Sequence, residues 1–361
     1  MILSKNRYEN IISAPIAGYT NWPLRRIFAR YNAYRIFSEM VHVREIFHKE
    51  FFEFPFLNIN YRFTIQLFGS FEDDFNLAIE KVKKYCDNID INCGCPAKKV
   101  IKAGGGSFWL KDIDRFSKKI YQISESYPNK ISVKIRLGFS KPQINEILDS
   151  IKDAKLAFIT IHMRTADMLF SGKALYQYAE ILNNYKLPIV LNGDITDPIF
   201  AKNILDSYNC SGIMIGRAAL SDPSIFQRIK EYINEGKIKK TCINNKIDNC
   251  ILYIDNLLLY FKIFSLALEK NNLDNFQFHE DSLKTDNNFE IIDDNFEIVK
   301  KVDDQSIKKF IRSNIVESRK ILFALSKKIP FSNKLKENIL KINSIDELKE
   351  LKNYLISLKN D

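Results

Sequence analysis

Apolar residues in the first two-thirds of the chain come in short runs: Ile11–Ala17, Tyr34–Glu39, Phe63–Phe68, Ile89–Cys93, Ile131–Leu137, Phe158–His162, Pro188–Asn192 and Gly212–Ile215. Between most of them lie stretches whose apolar positions recur three and four residues apart, at Phe75–Tyr85, Ile113–Ser126, Ile144–Ala154 and Pro198–Tyr208. Short runs of this kind read as strands and the longer periodic stretches as amphipathic helices. Strands alternating with helices in this way predict an α/β chain closed as a (β/α)8 TIM barrel. A doubly wound open sheet is the alternative, but no Gly-x-Gly-x-x-Gly follows the first run.

The pattern changes near residue 238. All 12 glycines lie between Gly18 and Gly236, and nine of the 10 prolines lie at or before Pro223. The remainder, rich in Leu, Ile, Lys and Glu, predicts an all-helical C-terminal domain over 239–361, after a catalytic barrel over 1–238. Inside it, about 270–304 is acidic and Asn-rich with weak periodicity and reads as a solvated insertion. The apolar segment Ile251–Glu269 carries Asp255, Lys262 and Glu269 at seven-residue intervals, which marks one wet stripe on a core helix rather than a membrane span.

Of the 361 residues, 46% are hydrophobic and 27% charged, an ordinary globular composition that excludes collagen-like and disordered chains. The net charge of +10 makes a polyanionic partner worth weighing. Removing the acidic stretch raises the rest to about +17, so its surface is more basic than the total implies. The six cysteines are too few and too irregular for a secreted disulfide framework, and no Cys-x-x-Cys joins Cys93-Gly94-Cys95 to build a zinc site. The N-terminus has no apolar signal core. A cytoplasmic, monomeric protein is expected, with no metal.

Polar residues gather where the runs end: Pro15-Ile16-Ala17-Gly18, Ser38-Glu39, Gln66, Asn92-Cys93-Gly94-Cys95-Pro96, Lys134 with Arg136, His162 with Arg164, Asn192-Gly193-Asp194, and Gly216-Arg217. In a parallel barrel all these ends open on one face, where active sites sit. The last two loops suit a phosphate, with backbone amides and a guanidinium. Lys134 and His162 suit the electron-rich edge of a reduced flavin, and Gln66 its pyrimidine edge. A Schiff-base lysine and a lysine paired with Glu39 are the alternatives for Lys134. Cys95, between Gly and Pro at a strand end, reads as a proton donor or nucleophile, whereas Cys93 reads as a buried inert thiol.

These stretches, with Asp90-Ile91 before the cysteine motif and Gly104-Gly105-Gly106-Ser107 after it, occur in the order found in the tRNA-dihydrouridine synthases, which the chain resembles. Asn192 to Pro198 is most similar to the bacterial B-type branch. The resemblance implies an FMN-dependent barrel, with NADPH as reductant, that reduces the C5–C6 bond of particular uridines in tRNA. It implies that Pro15, Ile16, Ala17, Gln66, Lys134, His162, Asn192, Gly193, Asp194, Gly216 and Arg217 hold FMN, and that Cys95 donates the proton. Asn92 and Arg164 are expected at the substrate. Met163 and Ala166 depart from the Gly and Arg usual in the family at those positions.

A uridine can be reduced only when out of its stack, so cations are expected around the mouth. Lys98, Lys99 and Lys102 after the cysteine loop, and Arg319 and Lys320 in the helical part, are the candidate RNA contacts; a solvated charged face is the alternative for each. Tyr19 and Trp22 either stack on a base or cap the core. Two other functions remain open: an FMN barrel acting on a free pyrimidine, and a catalytically silent RNA-binding scaffold.

Overall fold

The computed structural model describes residues 2–47, 61–238, 241–269, 305–327, 329 and 332–360. The acidic stretch 270–304 lies outside the described residues.

Eight strands, β1 (Ile11–Ser13), β2 (Ile36–His42), β3 (Phe63–Phe68), β4 (Asn88–Cys93), β5 (Ile131–Arg136), β6 (Leu156–His162), β7 (Ile189–Asn192) and β8 (Gly212–Ile215), pair in parallel in the order β1-β8-β7-β6-β5-β4-β3-β2. The remaining seam is closed by Tyr34 N–H donating to the Ile11 carbonyl and Ser13 N–H donating to the Arg35 carbonyl, both at 2.9 Å. The expected barrel is therefore present. β1 is shorter than its apolar run because Pro15 has no N–H for a ladder, and the chain turns there. β2 runs on to His42 past an irregularity between Phe37 and Met40.

Alternation along the strands explains the two faces. In β4, Ile89, Ile91 and Cys93 join the core shared with the helices, whereas Asn88, Asp90 and Asn92 bond side chains of neighbouring strands across the barrel interior. A separate apolar cluster of Ile12, Phe37, Phe158, Val190 and Met214, with Leu3 beneath it, fills part of that interior. Arg35 is fully buried, its guanidinium paired with Asp87 at 2.6 Å and donating to the Ile2 carbonyl.

The barrel helices are α1 (Trp22–Arg30), α2 (Phe75–Val82), α3 (Lys98–Lys102), α4 (Ile113–Ser126), α5 (Ile144–Ile151), α6 (Pro198–Ser207), α7 (Arg217–Ser221) and α8 (Ile225–Glu235). Side-chain caps set several starts: Asp112 accepts from Arg115 N–H at 3.0 Å before α4, and Asp197 from Phe200 N–H at 2.9 Å before α6, whose first residue is Pro198. Expected helix Phe75–Tyr85 breaks into α2 and a 3-10 turn at Lys83–Tyr85.

After Gly236, whose φ of 67° ends α8, come α9 (Ile243–Glu269), α10 (Gln305–Leu325), α11 (Ser332–Lys341) and α12 (Ile345–Asn360). Asn21 Nδ2 donates to Tyr253 Oη at 2.9 Å, Tyr31 Oη to Asn249 Oδ1 at 2.9 Å, and Asn256 Nδ2 to the Pro23 carbonyl at 3.2 Å, so α9 lies against α1. On the other side of α9, Asp255 pairs with Lys352 of α12 at 2.9 Å. Among the described residues no helix is long and apolar enough to cross a membrane.

Candidate active site

Strand register brings the polar strand ends together. Gln66 stands beside Asp90, Asn92 beside Lys134, Arg136 beside His162, and His162 beside Asn192. From Asp90 a chain of side-chain hydrogen bonds climbs to the cysteine loop. Gln66 Nε2 donates to Asp90 Oδ2 at 2.7 Å, and Asn92 Nδ2 donates to Gln66 Oε1 at 2.8 Å. Asn92 Oδ1 then accepts from the backbone N–H groups of Gly94 at 3.1 Å and Cys95 at 2.9 Å. Gln66 and Asn92 were expected to face cofactor and substrate. In the structure Gln66 is fully buried and bonds Asp90, while the Asn92 amide bonds Gln66 and the loop.

Cys95 is half-buried at the top of this chain. Its carbonyl accepts from Ser107 N–H and Oγ, both at 3.0 Å. Arg136 Nε donates to the Gly94 carbonyl at 2.9 Å, so the peptide before the thiol is held from two sides. A Cβ on Gly94 would press against the Lys134 and Ile135 backbone at 3.1–3.3 Å, which is why the turn carries no side chain there. Burial pushes the Cys95 thiol above its ordinary pKa, against the opposing pull of the Ala97 amide, Arg136 and Lys134. The thiol is thus protonated at neutral pH, as a proton donor must be. Cys93 is fully buried with its thiol raised further, an inert core residue.

Close to Cys95 stand the charges of Arg136 and Lys134, and His162 lies next to Arg136 in the register of β5 and β6. Lys134 Nζ donates to Asn192 Oδ1 at 3.3 Å, and Asn192 Nδ2 in turn to the Met214 carbonyl at 2.8 Å. Burial, then the neighbouring Arg136 charge, lowers the Lys134 ammonium to about 8, with Asp90 and Cys95 opposing. Burial and the charges of Lys134, Arg136, Arg164 and Arg217 hold His162 far below the usual imidazole range. His162 is therefore a neutral ring with one donor and one acceptor.

Arg164 was expected at the substrate. The structure moves it below the surface: it is 1% exposed, with Nη2 donating to Asp194 Oδ2 and to the Gly172 carbonyl at 2.6 Å each and Nε to the Ser171 carbonyl at 3.1 Å. Its guanidinium shapes the β7 loop and also approaches His162 Nε2, at 3.3 Å from Nη1. Asp194, at φ 50°, also accepts from Ala174 N–H at 2.9 Å and pairs with Arg217 at 3.1 Å. Burial works against the Asp194 anion, but Arg164, Ala174 and Arg217 together keep its carboxyl below the usual range. Gly193, at φ 133°, passes so close to His162 that a Cβ would meet the ring at 3.2 Å. Beyond Gly216 the chain enters α7, and Arg217 reaches out with its side chain 58% exposed.

Around the rim, Lys98, Lys99 and Lys102 are exposed on α3, directly after the Cys95 turn, while Val100 packs inward. Lys320 of α10 reaches the opposite side, its ammonium 5.5 Å from the Tyr19 ring centroid and within 2.4 Å of where a Gly18 Cβ would stand. Gly18 N–H donates to Glu39 at 2.5 Å. Arg319, expected to contact RNA beside Lys320, donates through its guanidinium to the Ile342 carbonyl at 2.7 and 2.9 Å and ties α10 to the α11–α12 turn. Trp22 is 1% exposed and stacks on Tyr260, which assigns it to the core. Pro15, Ile16 and Ala17 line the β1 turn, where Ile16 N–H donates to Thr20 Oγ1 at 3.1 Å.

Two features had little signal in the sequence. Asp90 is buried beneath the site, and only the polar phase of Asn-Ile-Asp-Ile-Asn hints at it. Phe170, 57% exposed, sits 5.5 Å from the Arg136 and 5.4 Å from the Arg217 guanidinium carbons, at the mouth. Its loop is clamped by Arg136 Nη1 donating to the Leu169 carbonyl at 2.7 Å. The sign in the sequence was the apolar run Met168-Leu169-Phe170 between Asp167 and Ser171.

The family described as "Dihydrouridine synthase (Dus)" matches residues 12–313 of the chain, from β1 into α10. A probable tRNA-dihydrouridine synthase of Helicobacter pylori is 32% identical over 268 residues, covering 72% of this chain and 80% of the relative. The tRNA-dihydrouridine synthase B of Pasteurella multocida is 32% identical over 270 residues, with the same two shares. That of Escherichia coli K12 is 32% identical over 237 residues, 64% of this chain and 74% of the relative.

Proposed function

The chain belongs to the dihydrouridine synthase family, and on that premise we propose that it is an oxidoreductase that reduces the C5–C6 bond of uridine in tRNA. The observation that carries this reading is Cys95: a protonated thiol on a turn held by Asn92 and Arg136, with the charges of Lys134 and Arg136 close by at the barrel mouth.

The residues fit a flavin mononucleotide. The Gly193 backbone leaves a cradle that a Cβ would fill against His162 and Ala174. Nearby, α7 opens at Arg217, whose exposed guanidinium is a donor suited to a phosphate. Pro15, Ile16 and Ala17 would flank the ring system, and Lys134 with His162 would face its electron-rich edge. FMN held by these residues, with NADPH as its reductant, would supply the hydride for uracil C6.

Hydride addition at C6 leaves an enolate-like anion spread over C5 and O4. Cys95 gives its proton to C5, and the resulting thiolate is reprotonated from solvent. The Lys134 ammonium stabilises developing negative charge in a site where water is largely displaced. Neutral His162 supplies a hydrogen-bond donor without spending the site's protons. Asn92 and Arg136 keep the Cys95 turn in place, and Arg164 keeps Asp194 in place; none of these three needs to touch the substrate.

The RNA is held at its phosphates by Lys98, Lys99 and Lys102 on one side of the mouth and Lys320 on the other, with the target nucleotide extruded between them. The test incubates the protein with FMN, NADPH and an unmodified tRNA transcript, followed by mass spectrometry of nuclease fragments. A gain of two hydrogens at one uridine is the expected result. Turnover of free uracil or uridine at comparable rates, with tRNA unchanged, would replace the RNA reading with a small-pyrimidine reductase.

A further inference from the structure

Among the described residues the His162 ring has one hydrogen-bond partner, Arg164, whose Nη1 lies 3.3 Å from Nε2. A guanidinium carries only donors and is not deprotonated in proteins. The roles across this contact are therefore forced: Arg164 donates, and Nε2 must hold a lone pair rather than a proton. An imidazolium, with N–H groups at both nitrogens, would set one N–H against another. So would the neutral ring with its proton on Nε2.

The guanidinium is held in place by other groups. Nη2 donates to Asp194 Oδ2 and to the Gly172 carbonyl, at 2.6 Å each, and Nε to the Ser171 carbonyl at 3.1 Å. Asp194 is itself anchored by Ala174 N–H at 2.9 Å and by Arg217 at 3.1 Å. These acceptors fix the plane of Arg164 without help from His162, and Nη1 is the nitrogen left over. On the ring, the Cδ2–Nε2 side is the part nearest Gly193, at 3.2 and 3.6 Å from where a Cβ would stand. Nδ1 is the ring atom opposite that bond, and no described residue bonds it.

Which nitrogen of a histidine carries the proton is set by the hydrogen bond that the other one makes. We propose that Arg164 is a positioning residue for His162, fixing the ring as its Nδ1–H tautomer, with the lone pair turned to Arg164 and the N–H left for a bound acceptor. A histidine side chain in water favours the opposite, Nε2–H form, so the assignment is not what the residue would adopt unaided. Burial and the charges of Lys134, Arg136, Arg164 and Arg217 act in the same sense, against the imidazolium. The neighbouring acids act on those cations: Asp194 pairs with Arg164 and Arg217, and Asp90 acts on Lys134. The consequence for a flavin rests on the functional reading above, since its electron-rich edge would then meet a donor rather than a lone pair. The tautomer itself does not rest on it.

The test uses the full chain labelled with 15N-histidine, as purified and again with FMN added. Long-range proton–nitrogen correlation spectra show which nitrogen of each ring bears the proton. The chain has four histidines, and the His162 signals are those absent from His162→Gln. In the wild type a single neutral form is expected, with Nδ1 protonated and Nε2 bare, unchanged as pH falls through about 6.5, where an ordinary imidazole titrates. Arg164→Met fills the volume but donates nothing. Its His162 should gain the Nε2–H form, and its midpoint should move up towards the ordinary value because one neighbouring cation is gone. Asp194→Asn disturbs the same loop but keeps the guanidinium, so its His162 should stay Nδ1–H. Circular dichroism and melting confirm folding.

An imidazolium or an Nε2–H ring in the wild type would overturn the proposal, and so would an unchanged tautomer in folded Arg164→Met. Loss of the Nδ1–H form in Asp194→Asn to the same extent as in Arg164→Met would assign the tautomer to the loop and overturn it equally. Should Arg164→Met fail to fold, the wild-type and Asp194→Asn spectra still decide. The expected spectra in a protein that binds no flavin and forms no dihydrouridine would leave the positioning role standing and reject the functional reading instead.

Discussion

Arg136 Nε donates to the carbonyl of Gly94 at 2.9 Å, one residue before the thiol of Cys95. The same guanidinium donates through Nη1 to the carbonyls of Thr165 and Leu169, at 2.7 Å each, in the loop after β6. One buried cation therefore couples the cysteine turn to the loop that carries Phe170. A lysine has a single ammonium and cannot span these three carbonyls. Arg136→Lys should lower dihydrouridine formation at least tenfold and destabilise the fold by about 1.5–3 kcal/mol, the range for a lost hydrogen bond to a charged group. Denaturant melts and turnover on tRNA measure the two effects; wild-type values in both would mean that the clamp is idle.

Cys95→Ala removes the proton donor and leaves the residues assigned to the flavin untouched. Turnover of tRNA should fall about 100- to 10,000-fold, the usual worth of a positioned general acid. Flavin content and the rate of flavin bleaching by NADPH should stay at wild type. Retention of full turnover would remove Cys95 from the mechanism.

The pH dependence follows from Lys134. Its ammonium, lowered by burial to about 8, is present below that pH and lost as pH rises through it. The Cys95 thiol is shifted the other way by burial, so it stays protonated across the same range. Activity should fall on an alkaline limb centred near 8, and Lys134→Met should have low activity without that limb. The unfolded chain keeps this lysine charged to about 10.5, so its burial opposes folding below pH 8 and the opposition fades between the two values. A wild-type profile flat to pH 9.5 would contradict the role given to Lys134.

Lys320 and Gly18 give a test of the helical part. Lys320→Ala should weaken tRNA binding and reduce the slope of log affinity against log salt by about one, the signature of one lost phosphate contact, with flavin binding unchanged. Gly18→Ala strains a backbone at φ 74° and drives a methyl against the Lys320 ammonium. The two substitutions together should cost less than the sum of their separate effects, because the second relieves the collision. Titration of labelled tRNA at several salt concentrations checks the first statement, and melting of all three variants checks the second.

Much of the barrel was legible because its signal is local. Each strand is a short β-branched run, and polar residues at the strand ends must converge once the strands are parallel. The acceptors beneath the site were harder to read. Gln66, Asp90 and Asn92 stand in the sequence as ordinary polar positions of alternating strands, and only the register of β3 against β4 makes them one chain. Arg319 and Lys320 show the same limit in a helix. Adjacent residues point about 100° apart around the axis. Which of the two faces the mouth depends on how α10 packs: Arg319 turns to Ile342, Lys320 to Gly18. Arg164 was harder to place for another reason, since a buried guanidinium that organises a loop carries the same letter as one that binds a ligand. The insertion at 270–304 lies outside the described residues and stays an expectation from composition.

The central claim is that this barrel transfers reducing equivalents to a uridine in tRNA, with Cys95 completing the step. The most direct measurement reduces the FMN-loaded protein anaerobically, adds one equivalent of unmodified tRNA, and follows flavin absorbance and dihydrouridine by mass in the same sample. Reoxidation matched one for one by dihydrouridine, and slowed together in Cys95→Ala, is the predicted result. Flavin that stays reduced with tRNA, or reoxidises with every uridine unchanged, would contradict it.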